Sequence, residues 1–114
     1  MHESSIAYKL YQTIAAEASK YDGRPVAAKV SFGVLAYIND ELLLEAFNAI
    51  SKGTKIENTK LKIEHKPLQG ECQKCSKKFN VDLSNIKCSN CGSTDLTVLP
   101  DAPILLEEIE FQKD

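Results

Sequence analysis

The chain has 114 residues, 43% hydrophobic and 26% charged, with a formal net charge of −2. This bounds it to one small domain, or one with a smaller module attached, and the mild acidity argues against general DNA or RNA binding, which needs a basic surface. No apolar run approaches the roughly 18 to 20 residues of a membrane span. No basic start leads into an apolar stretch either, so the expected address is the cytoplasm, where clustered thiols stay reduced and read as metal ligands before disulfides.

The chain opens on MHESS, with one of its two histidines at position 2. The Met1 amine, the His2 amide and the His2 imidazole put three nitrogens within two residues. Nickel(II) and copper(II) favour such nitrogen-rich, planar donor sets. Glu3 adds a further amide or a carboxylate. Amine and imidazole titrate near about 8 and 6.5 when unperturbed, so protons compete modestly at neutral pH. An amide must also lose its proton, so binding should weaken on acidification. Met1 precedes a bulky residue and is expected to escape trimming. The same residues also read as a plain helix start, with Glu3 near the positive end of the helix dipole.

Residues 4 to about 21 predict an amphipathic helix, with Ile6, Leu10, Ile14 and Ala18 at four-residue spacing. Asp22-Gly23 and Pro25 should stop it. Val26 to Phe32 alternates as a strand, and Gly33 allows a bend or bulge. Asn39 or Asp40 should cap a second helix, with Glu41 as a first-turn acid and Gly53 as its C′ stop. Its apolar set includes Leu42, Leu43, Ala46, Phe47 and Ile50. Lys60 to His65 alternates again, placing Leu61, Ile63 and His65 on one side. Such a histidine reads as a structural residue before a ligand. Pro67 and Gly70 punctuate the chain, and Ile104 to Phe111 predicts a final strand.

Between them lie Cys72-x-x-Cys75 and Cys88-x-x-Cys91, with twelve residues between the pairs and no other cysteine in the chain. Two such turns brought together by a short antiparallel ribbon make four thiolates converge tetrahedrally, the arrangement of a closed structural zinc site. Gly92 suits the tight backbone after the second pair. Few apolar residues lie nearby (Phe79, Val81, Leu83, Ile86), so the metal should supply much of the local folding free energy. Lys74, Lys77, Lys78 and Lys87 make the segment locally basic. Zinc with four thiolates carries −2, Asp82 offsets another charge, and only Phe79 is available for base stacking, so these lysines read as solvated surface.

The expected architecture is α+β: two helices packed on a small three-stranded sheet, with a zinc-ribbon-like module inserted before the last strand. The expected division is residues 1–67 plus 101–114, and residues 68–100.

The MHE start, Gly33 to Ile38 ahead of the second helix, the Ala46-Phe47 to Gly53-Thr54 stretch and the two C-x-x-C pairs occur here in one order. Together they resemble the nickel metallochaperones of nickel–iron hydrogenase maturation, which also serve urease maturation in some bacteria. The resemblance covers essentially the whole chain. It implies a carrier rather than an enzyme, holding nickel(II) through the Met1 amine, the His2 amide and imidazole, and the Glu3 amide. It also implies zinc(II) on Cys72, Cys75, Cys88 and Cys91. The implied partners are a nickel-handling maturation GTPase and the hydrogenase large-subunit precursor, with no nucleic acid and no membrane span. An acidic residue that some members place just before the second helix falls on Asn39 here, with Asp40 one further on. Ser89 replaces a proline common in the second cysteine pair, and Pro100 to Pro103 replaces a glycine turn. Two other readings compete: a zinc-ribbon adaptor for protein or RNA, and a small metallohydrolase using His2, Glu3 and His65.

Overall fold

The computed structural model describes residues 2–113. Helix α1 (Glu3–Ala18) leads into strand β1 (Arg24–Gly33), a single 3-10 turn (Val34–Ala36), helix α2 (Asp40–Ser51) and strand β2 (Lys60–Lys66). Three short strands, β3 (Gln69–Cys72), β4 (Lys78–Asn80) and β5 (Leu96–Val98), belong to the cysteine segment, and β6 (Leu105–Gln112) comes last. They form two three-stranded sheets, ordered β2-β1-β6 and β4-β3-β5. β1 pairs parallel with β2 and antiparallel with β6, so the strand beyond the cysteines returns to the first sheet. The fold is α+β with the cysteine module inserted before the last strand.

The elements differ from expectation mainly at their ends. α1 stops at Ala18 rather than near residue 21, because the Ser19 hydroxyl donates to the Ala16 carbonyl at 2.7 Å and competes with continuation. β1 begins at Arg24 and takes in Pro25 opposite Phe111, with an irregularity between Pro25 and Ala27 that absorbs the missing donor. Asn39 is the cap of α2: its side chain accepts from the Leu42 N–H at 3.0 Å. Gly53 follows the cap Lys52 in the left-handed region, as a C′ residue should. Gly70, expected as punctuation, lies inside β3. The ribbon of the cysteine segment has three strands.

The core is aliphatic with two phenylalanines. Ala7, Leu10 and Ile14 of α1 meet Leu43 and Phe47 of α2 over Ala28, Val30 and Phe32 of β1. Each large side chain buried there contributes about 1.5–3 kcal/mol. The fully buried members all lie between residues 7 and 61, with Leu106 and Ile109 of β6 packing against them and no residue of the cysteine module taking part. The opposite face of the sheet carries a charge ladder, with Lys29–Glu64 at 2.7 Å, Lys66–Glu64 at 3.0 Å and Lys62–Glu110 at 3.4 Å.

Two features tie the module's exit to the first sheet. The Gly33 N–H donates to the Ala102 carbonyl at 3.1 Å, and the Leu35 N–H donates to the Asp101 carboxylate at 2.9 Å. The Asp101 carboxylate occupies the space where any side chain at Gly33 would stand. Among the described residues no helix is long and apolar enough to cross a membrane.

Candidate metal centres

The two cysteine pairs form near-identical knuckles. In the first, the Cys75 N–H donates to the Cys72 sulfur at 3.4 Å, and the Ser76 N–H to the Cys72 carbonyl at 2.8 Å. In the second, the Cys91 N–H donates to the Cys88 sulfur at 3.4 Å, and the Gly92 N–H to the Cys88 carbonyl at 3.0 Å. Each knuckle turns through a left-handed residue, Ser76 at φ 62° and Gly92 at φ 76°. Glycine at position 92 was legible from sequence; the serine playing the same part was not, because serine carries no such signature.

β3 pairs with both β4 and β5 and draws the knuckles together. The four sulfurs then lie within 4.8 Å of one another, with Cys72–Cys91 and Cys75–Cys88 each at 3.6 Å. Cys72 and Cys88 are buried, while Cys75 and Cys91 face solvent. Backbone donors from Cys91 and Asn90 bring the Cys88 thiol down to about 6. The Cys75 N–H likewise lowers Cys72. At Cys91 the Ser93 N–H pulls downward, but the neighbouring sulfurs, Cys72 foremost, push the thiol up to about 11. Four thiols this close cannot all ionise unless a cation sits among them. The donor set therefore fits a tetrahedral dication that prefers sulfur, and it leaves no position open for substrate or water.

At the head of α1, His2 is the exposed N-cap, extended at φ −92° and ψ 94°, and its side chain makes no cap hydrogen bond. Two hollows open beside it, one between α1 and β6 and one between α1 and the start of α2. The first hydrogen bonds of α1 are donated by Ser5 and Ile6 to the His2 carbonyl at 3.1 and 3.2 Å. The Glu3 N–H precedes that ladder, as the first donors of any helix do. The Glu3 carboxylate is engaged: it accepts from the Asn39 N–H at 2.9 Å. That bond, then its own backbone N–H, holds the Glu3 carboxyl below the usual glutamate range. Met1 lies outside the described residues.

His65 is not brought to His2 and Glu3. Its Nε2 pairs with the Asp40 carboxylate at 2.7 Å, and its ring meets Phe32 edge-on at 5.1 Å. Asp40 is a first-turn acid of α2, as expected, and one of its carboxylate oxygens also reaches β2 through His65. Among the described residues, the four cysteines are the group of ligating side chains that converges. Sequence reasoning missed the Glu3–Asn39 and Asp101–Leu35 bonds, since long-range pairings of single polar residues leave no local pattern.

The family model "Hydrogenase/urease nickel incorporation, metallochaperone, hypA" matches residues 1–111. The chain is 31% identical to hydrogenase maturation factor HypA of Aquifex aeolicus over 115 residues, covering 100% of both chains. It is 32% identical to the factor of the same name from a Roseiflexus species over 117 residues, covering 100% of this chain and 94% of that one. The solution structure of the Ni metallochaperone HypA from Helicobacter pylori shares the fold with a TM-score of 0.64 and 21% identity, over 100% of both chains. A second solution structure of a HypA protein gives a TM-score of 0.69 at 21% identity, over 100% of this chain and 98% of that one. The chain belongs to the HypA family of hydrogenase and urease nickel-incorporation metallochaperones.

Proposed function

We propose that this chain carries nickel(II) at its N-terminus and delivers it to the nickel–iron hydrogenase large-subunit precursor, working with a nickel-handling GTPase in the cytoplasm. The ligands are the Met1 amine, the His2 amide and imidazole, and the Glu3 amide. Zinc(II) on Cys72, Cys75, Cys88 and Cys91 is structural, and the chain catalyses no reaction. Residues 1–67 with 101–114 form the nickel unit, and residues 68–100 the zinc unit.

The observation that carries the nickel reading is the uncapped, exposed His2 ahead of the hydrogen-bonded ladder of α1. An amide inside the helix must break a bond to lose its proton; one ahead of the first turn need not. Two deprotonated amides cancel the charge of Ni²⁺, so the positive end of the helix dipole does not oppose it. The Glu3 carboxylate, held by Asn39, acts as a fastener that fixes the Glu3 backbone at the head of α1.

Equilibrium dialysis of zinc-loaded protein with a native Met1, at neutral pH, tests this. One nickel per chain is expected, lost in His2→Ala and in a chain with one glycine placed before Met1. Equal nickel in all three would remove the N-terminal chelate and leave the zinc-ribbon adaptor as the reading.

A further inference from the structure

β6 is an edge strand: β1 lies on one side, and among the described residues no strand lies on the other. It runs for eight residues, Leu105–Gln112, long for an uncovered edge. The helices sit inboard, α1 against β1 and α2 against β2. The helix-facing side of β6 is therefore only half covered, and Leu106 and Ile109 are partly buried. A hollow of about 590 Å³ lies there between Ile6 and Leu10 of α1 and residues Ile104–Leu106, with His2 at its mouth. A second, of about 520 Å³, continues it between Glu17 of α1, Tyr21 just beyond that helix, and Glu107, Glu108 and Phe111. Both are lined by Thr13 and Leu106, so they form one groove along β6. Its length is about that of α1, roughly 24 Å at 1.5 Å per residue.

We propose that this groove and the free edge of β6 receive an extended segment of a partner protein, apolar at the His2 end and basic at the Phe111 end. The segment adds as a strand to β6. Main-chain hydrogen bonds hold it, and alternate side chains enter the groove. The charge distribution selects this occupant. Glu107, Glu108 and Glu110 lie on β6, and no basic residue does. Glu107 is engaged by Ser31 and Lys66, and Glu110 by Lys62, whereas Glu108 stands opposite Lys29 in register without forming a close ion pair among the described residues. A second copy is a poor occupant. Antiparallel pairing of β6 with itself near its centre sets Glu108 opposite Glu108, Glu108 opposite Glu110, or Glu107 opposite Glu110, and like charges directly opposite are destabilising. A basic strand meets no such opposition. A partner seated here would lie beside His2, which matters for delivery only if the nickel reading holds; the binding itself does not depend on it.

The test is a nuclear magnetic resonance titration of the full zinc-loaded chain. The probes are a synthetic octapeptide with two lysines in its first half and two valines in its second, among threonines, and the same peptide in reversed order. Amide shifts are expected along residues 104–112 and on the groove side of α1 for one of the two orders. Replacing the lysines by glutamates should weaken binding about tenfold. Glu108→Lys should weaken the basic peptide and improve the acidic one, and Glu17→Lys serves the same purpose from the other wall if the first variant folds poorly. No shifts on β6 up to millimolar peptide in either order would overturn the proposal, as would equal response to both charge types. Concentration-dependent shifts on β6 without peptide would assign the edge to a second copy instead.

Discussion

Single residues hold the N-terminus and the module's exit in place. Glu3 fastens the start of α1 to the loop before α2 through the Asn39 N–H. Its carboxyl is depressed in the folded chain, so the charged form contributes stability above the ordinary glutamate range, and that contribution disappears as pH falls through the folded value. Glu3→Gln should melt below the parent at pH 7, and thermal melts repeated toward pH 3 should show the gap closing. A gap unchanged with pH would mean that the carboxylate charge plays no part. Gly33 acts at the other end of the same loop. Its φ is ordinary, so glycine is required there by space alone: a methyl group would meet the Asp101 carboxylate. Gly33→Ala should cost about 1–3 kcal/mol by displacing that group, read from denaturant midpoints. Asp101→Ala in the same chain should recover part of the loss, because it removes the obstacle as well as the bond to Leu35.

The elements that bury an apolar face were legible in the sequence; those held by polar pairs or by metal were legible only as punctuation. α1, β1, α2, β2 and β6 announced themselves by period, because Ile14, Phe47, Val30 and Leu61 must reach one core. β4 and β5 have three residues each and bury almost nothing, so no alternation marked them. Only the cysteine spacing showed that they would converge. The Glu3 fastener, the Asp101 contact and the His65–Asp40 pair were hidden for a related reason: each joins residues far apart in sequence whose types are unremarkable singly. The physical difference between the two kinds of element predicts a difference in response. A strong chelator at neutral pH should melt β3, β4 and β5, whose fold depends on the sulfur cluster. The β2-β1-β6 sheet and both helices should persist. Amide spectra before and after chelation would show this as loss of dispersion confined to residues 69–98, and loss throughout would refute it.

At the scale of the whole molecule, the chain spans 55 × 25 × 15 Å, and the residues on either side of the cysteine module meet again. The Leu99 N–H donates to the Gln69 carbonyl at 2.8 Å, and the Val81 N–H to the Leu68 carbonyl at 2.8 Å. That closure bears on how the molecule assembles. β6 must find β1 across everything between them, and the entropy of closing a loop grows with the length that remains free. When the module is folded, its ends are already side by side, and the intervening chain behaves as a short connection. When it is unfolded, the same search spans the full insertion, a penalty of about 1–2 kcal/mol on a logarithmic length dependence. Stopped-flow refolding should accordingly be about tenfold slower without zinc, even when followed by probes confined to the β2-β1-β6 sheet. A metal on the four cysteines would thereby set the rate at which the first sheet is completed, and during synthesis β6 would find β1 sooner wherever that metal had already bound.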